Sequence, residues 1–427
     1  MLQKLYYQLQ YLLGFISKND YKQKKHLYLN KKKIQKKYIK YKANNFIESY
    51  FTLHNEDDFV PISDTFIDKK DRDPLLLAYY LTQFHETEIN NENFGKGFTE
   101  WTNVAKAKQL YQGHYQPQIP IDVGFYDLSH DDVMYRQIEL AKQYGIGGFC
   151  FYYYWFQGKR VLEKPLFNFL NNEKLDIPFC LFWANETWQR RWFGGKKEIL
   201  IEHKFDLSMI NDFFYDILPF FKDKRYIKIN NKPFFIIYHH DEFTSTDLRK
   251  IIKEFDTLAK ENGFNGIHFV GQGYKLPNEV VEEYGLNAVA EFSPCGMNIP
   301  EVTSYDGWTV PNFEGYMFDT SKFLINEKWK YDVNYTLYKG VFTNWDNTPR
   351  SHINARIYRY MTPKTYKDWL KKVISYTKTN NSKDHQIIFI NAWNEWGEGA
   401  HLEPDIKYGY AYLQATKEAI EESRGSV

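Results

Sequence analysis

Residues 387–405 read Ile-Ile-Phe-Ile-Asn-Ala-Trp-Asn-Glu-Trp-Gly-Glu-Gly-Ala-His-Leu-Glu-Pro-Asp. The first four are apolar and mostly β-branched, the pattern of a strand buried on both faces. The strand then empties into acids, amides and indoles crowded between two glycines. Glu395 and Glu398 stand three apart just past it, and Glu403 and Asp405 follow. Paired carboxylates supply acid and base to a glycosidic bond, and indoles offer flat apolar faces to pyranose rings.

Working outward, similar apolar runs recur at 75–80, 148–154, 178–185, 233–240, 266–272, 287–292 and 340–345. Helical stretches lie between them, among them 247–262 and 364–378. Another, capped by Ser129 with Asp131 and Asp132 in its first turn, stops at Gly145. Strands buried on both faces and alternating with helices make a parallel sheet. Eight of them over the span 74–427 predict a (β/α)8 TIM barrel with elaborated loops after the strands. A doubly wound dinucleotide fold has no Gly-x-Gly-x-x-Gly between a strand and a helix to support it.

A barrel places its chemistry at the C-terminal strand ends. Those ends carry Tyr154 and Trp155, then Trp183, Asn185 and Glu186, then His239. Further along come Glu291, Trp345 with Asp346, and Asn394, Glu395 and Trp396. These, with Glu403, are the candidate substrate-binding residues, and Glu395 with Glu398 the candidate catalytic pair. Spacing alone leaves open a hydrogen-bonded pair that merely orders the last loop. Trp188, Trp192, Arg190 and Arg191 in the same stretch as Trp183 divide between sugar contacts and plain packing. His239 and His240 lack the further ligands of a zinc motif. Neither a metal nor a cofactor is expected.

The chain has 427 residues and a formal net charge of +1, which argues against nucleic acid as a partner. Its three cysteines, Cys150, Cys180 and Cys295, suit reduced thiols better than a disulfide framework. Residues 1–73 differ in composition: from Lys22 to Lys42 there are ten lysines and no acid. That stretch is expected to be a lysine-rich helical extension, either a solvated arm or a peripheral contact with an anionic membrane. Without an apolar span or a cleavage site near the start, the expected location is cytoplasmic, peripheral to the inner membrane if the lysines bind it.

Five long stretches carry a family resemblance: residues 79–117, 147–166, 182–192, 342–350 (Phe-Thr-Asn-Trp-Asp-Asn-Thr-Pro-Arg) and 391–405. Together they resemble the WbsX-type proteins of bacterial O-antigen and capsule clusters, usually labelled glycosyltransferases. More distantly, Asn394-Glu395-Trp396-x-Glu398-Gly399 and Glu403-Pro404 resemble the motif of the endo-alpha-mannosidase glycoside hydrolases, which are (β/α)8 barrels. The resemblance implies that Glu395 is a base toward the sugar's own 2-hydroxyl and Glu398 the acid/base of a retaining reaction. Gly397 departs from that motif, where those hydrolases typically carry His. Three functions are expected from this: a retaining endo-acting hydrolase or transglycosylase, a transferase using an activated sugar, and a glycan-binding barrel without activity. All three have an oligosaccharide or polysaccharide as partner.

Overall fold

In the computed structural model, residues 17–19, 21, 22, 25, 58–189, 198–303, 310 and 312–425 are described. Arg190, Arg191, Trp192 and nearly all of the lysine-rich stretch lie outside them.

Eight parallel strands close a barrel, each followed by a helix. In chain order they are β1 Leu75–Tyr80, α1 Asp131–Tyr144, β2 Gly148–Phe156, α2 Lys164–Asn171, β3 Phe179–Trp183 and α3 Ile210–Lys222. Then come β4 Lys232–Ile237, α4 Ser245–Glu261, β5 His268–Gln272, α5 Asn278–Tyr284, β6 Ala288–Ala290 and α6 Thr320–Ile325. Strand β7 falls in two pieces, Thr336–Tyr338 and Gly340–Phe342; α7 Pro363–Asn380, β8 Ile387–Asn391 and α8 Ala411–Glu422 complete the ring. The first piece of β7 pairs with β6 and the second with β8, so the ring closes through Lys339. The last strand returns to the first, with Leu75 beside Ile387 and Ala78 beside Ile390. All eight apolar runs of the sequence are barrel strands.

Two alternating faces explain the abundance of aromatic residues. Inside the barrel Tyr79 meets Phe182, Phe292 and Phe389, with ring centroids 4.8–5.4 Å apart. Outside, Phe151 and Phe179 pack on Phe169 of α2. Helix α4 shows how the outer layer is specified. Thr244 accepts from the Asp247 amide at its start, and Leu248, Ile251, Phe255 and Leu258 fall on one buried face. Helix α1 begins one residue later than its expected cap implied. His130 holds the cap position without a side-chain bond, and the Ser129 amide instead donates to Asp127.

Residues 58–73, grouped with the extension by composition, run against the barrel. Val60 bridges to Gly409, Ile67 is buried, and Asp73 accepts from Arg424 just past α8. Among the described residues no helix is long and apolar enough to cross a membrane.

Candidate active site

At the C-terminal ends of the strands lies a cleft of about 490 Å3. Inward-facing side chains of β2 and β3, Tyr152, Tyr154 and Phe182, form part of its wall. Tyr238, Phe292, Trp188 and Trp345 add further apolar faces, and Glu186 and Arg356 add charge. Glu395 and Glu398 are at the cleft, brought there by a tight turn that ends on Gly399 at φ 64°.

One guanidinium organises the carboxylates. Arg350 donates from Nη2 to Glu395 Oε2 at 3.0 Å, and its Nη1 lies 2.7 Å from Glu398 Oε1. Its Nε donates to Glu100 Oε1 at 2.8 Å. Glu100 comes from the short helix Glu100–Lys106 after β1, and Arg350 from the turn Thr348–Ser351 after β7. A Cβ at position 397 would stand 1.8 Å from Glu100 Oε1 and 2.8 Å from Arg350 Nε. The absence of a side chain at Gly397 is therefore what admits this ion pair.

Burial raises the pKa of both glutamates, since a carboxylate loses hydration there. For Glu398 it acts with the neighbouring carboxylates Glu395, Glu100 and Glu186 against the Arg350 charge, and pushes the group up to about 8. Glu395 is raised by burial too, with Arg350 pulling it down, Glu100 pushing it up and the Tyr152 hydroxyl pulling it down. The Glu398 side chain keeps 18% of its surface exposed, against 5% for Glu395. A carboxyl group pushed toward its protonated form beside a second carboxyl group is an arrangement that acid–base chemistry on a glycosidic bond can use.

Of the expected substrate contacts, Tyr154, Glu186 and Trp345 line the cleft. His239 is partly exposed beside it, its ring 4.2 Å from that of Tyr238. The others do different work. Trp155 and Trp183 point outward from their strands and pack on Phe213 of α3 at 4.8 and 4.5 Å, out of reach of a ligand in the cleft. Glu291 also points outward, where it accepts from Tyr331, Lys339 and the Gly340 amide and sutures the split strand. Asp346 is buried and accepts from His114, Gln116 and Thr348. Because His114 Nδ1 accepts from the Leu110 amide, its Nε2 carries the proton donated to Asp346.

Two asparagines staple neighbouring strand ends. Asn185 accepts from the His239 amide and donates to the His239 carbonyl. Asn394 does the same with Leu81, at 2.8 and 3.0 Å. Beneath the turn that carries Glu395 and Glu398, Trp396 stacks on His401 at 3.7 Å and donates from Nε1 to Glu403, which also accepts from Tyr126 and Gln137. Burial pushes Glu403 up to about 7. Sequence reading passed over Glu100 and Arg350 as site residues although both lie within the quoted motifs. They are 250 positions apart, and the signal that joins them is the missing side chain at Gly397. No group of His, Cys, Asp or Glu among the described residues is arranged to hold a metal ion.

The family model described as Glycosyltransferase WbsX matches residues 76–416, and the chain belongs to that family. Two relatives, each described as "Uncharacterized protein WxcX", come from Xanthomonas campestris pv. campestris strains B100 and ATCC 33913. Each is 38% identical over 349 residues, 81% of this chain and 49% of the relative. The chain thus spans about half the length of the curated relatives it matches. Among solved structures, the GH99 endo-alpha-mannosidase from Bacteroides thetaiotaomicron aligns with a TM-score of 0.50 at 14% identity, covering 84% of this chain and 98% of that one. A protein described as glycoside hydrolase-like aligns with a TM-score of 0.51 at 12% identity, covering 86% and 98%. At these identities the likeness is one of fold.

Proposed function

We propose that this WbsX-family barrel acts on glycosidic bonds of a bacterial surface polysaccharide, as a retaining, endo-type hydrolase or transglycosylase. The observation that carries this reading is the convergence of Glu395 and Glu398 on Arg350 at the cleft, with Glu398 pushed up to about 8. Glu395 takes the proton of the substrate's 2-hydroxyl as that oxygen attacks C1. The bond from C1 to the leaving oxygen breaks, and Glu398 gives that oxygen its proton. Water or an acceptor hydroxyl then loses a proton to Glu398 and opens the three-membered ring at C1. O2 recovers its proton from Glu395. Arg350 holds both carboxyl groups in place throughout. The aromatic walls, Tyr154 and Trp345 among them, seat the sugar rings.

The test compares Glu395→Gln and Glu398→Gln with the parent on preformed surface glycans. Each loses about 10²–10⁴ in rate, the usual contribution of a general acid or base. An aryl glycoside, whose leaving group needs little protonation, partly rescues Glu398→Gln and leaves Glu395→Gln inactive. Near-full turnover by Glu395→Gln would overturn the assignment.

The family description favours a second reading, transfer from an activated sugar. The D-x-D of the chain, Asp71-Arg72-Asp73, precedes β1 at the barrel end opposite the cleft, and Asp73 is bound to Arg424. Turnover of nucleotide sugars and none of preformed glycans would select this second reading.

A further inference from the structure

Behind the wall that carries Trp345 lies a second cavity of about 290 Å3. The wall is a short antiparallel hairpin in which Trp345 pairs with Tyr358 and Asp346 with Ile357. Side chains alternate along an extended chain. Trp345 and Asn347 accordingly face the cleft, whereas Asn344 and Asp346 face the second cavity.

The two chambers differ in charge. The cleft holds Glu186, Glu395 and Glu398 against Arg350 and Arg356. The second cavity is lined by Tyr111, Tyr115, Tyr360 and Tyr408 together with Arg359 and Lys407. Arg359 lies over the rings of Tyr111 and Tyr360 at 5.5 and 4.9 Å, and Lys407 over Tyr115 and Tyr408 at 5.2 and 4.5 Å. Two carboxylates stand nearby, both buried and both engaged. Asp346 accepts from His114, Gln116 and Thr348. Asp405 accepts from Tyr115 and from the amides of Lys407 and Tyr408. What this cavity offers a ligand is flat aromatic surface and positive charge.

We propose that the second cavity is a saccharide site that takes an anionic sugar unit, its charge carried by a carboxylate or a phosphate. Tyrosine faces suit the C–H side of a pyranose ring, and the two cations suit the anionic group. The site stands independently of turnover in the cleft, and it is tested by binding alone.

The experiment titrates the full chain with tetragalacturonate and with mannose 6-phosphate, each beside its neutral counterpart, by calorimetry. At least one anion binds about tenfold more tightly than its neutral counterpart, the scale of one charged hydrogen bond, and its affinity falls with added salt. Lys407→Met and Arg359→Met each remove most of that preference; Lys407→Arg retains it, which separates lost charge from lost folding. Trp345→Ala, on the cleft side of the wall, retains it as well. Equal affinity for charged and neutral sugars, no binding of either anion, or indifference to both charge removals would overturn the proposal. The pattern among the arms tells a uronate site from a phosphate site.

Discussion

Replacing Gly397 by alanine tests the centre of the site with a single methyl group. The glycine's backbone conformation is open to other residues, so the consequence is steric. The new Cβ would lie 1.8 Å from Glu100 Oε1 and 2.8 Å from both Glu100 Cδ and Arg350 Nε. Glu100 has to withdraw, yet its side chain is fully buried and its ion-pair partner is Arg350. Separating a buried ion pair costs about 3–5 kcal/mol, several times what an exposed alanine substitution does. Urea unfolding followed by tryptophan fluorescence measures the loss. The double variant Gly397→Ala, Glu100→Ala removes the closest clash and leaves only Arg350 to shift, so it should lose less stability than the two single variants lose together. That non-additivity, about 0.5–3 kcal/mol for residues in contact, distinguishes a clash over Gly397 from general weakening of the turn. A loss below about 0.5 kcal/mol in Gly397→Ala, the level of an ordinary surface change, or strict additivity in the double variant, would refute the reasoning.

Glu398 links stability to pH. Its native pKa is raised from 4.5 to about 8, so the folded state holds a proton that the unfolded chain releases. Its contribution is greatest below about pH 4.5, declines as pH rises to about 8 and is flat above. The wild-type stability profile should slope downward across that window relative to Glu398→Gln, and turnover that needs its proton should fall above about pH 8. Trp183→Phe should cost stability while leaving glycan affinity in the cleft unchanged, whereas Trp345→Ala should weaken binding; calorimetry with a bound oligosaccharide separates them. Removing residues 1–57 should preserve folding and turnover but reduce salt-sensitive binding to anionic vesicles. Vesicle binding that is equal with and without those residues would assign the lysines to solvent alone.

The fold was legible because strand bodies and helix faces carry their periodicity in the sequence. The turn that carries Glu395 and Glu398 stood out through its composition. What the sequence left open was which side of a strand end a residue occupies. On β2, Tyr152 and Tyr154 face the cleft while Trp155 faces α3. On β3, Phe182 turns in and Trp183 out. Glu291 and Asp346 are likewise one residue out of phase with Phe292 and Trp345, which line the cleft. A shift of one position exchanges the two faces of a strand, and near a strand end the apolar pattern that fixes the phase runs out. Arg350 was illegible for another reason. Its role depends on Glu100 and the empty side-chain position at Gly397, which are brought together only by closure of the ring.

That closure also sets a schedule for synthesis. Strand β1 is hydrogen-bonded to β2 on one side and to β8 on the other. The second neighbour leaves the ribosome roughly 300 residues after the first strand, and at about 5–20 residues per second this is about 15–60 s. For that interval Leu75–Tyr80 presents one edge of an almost wholly apolar strand with no partner in the nascent chain. Unpaired edges recruit other chains. The wait for its final strand is set by the rate of elongation, and slower elongation lengthens it.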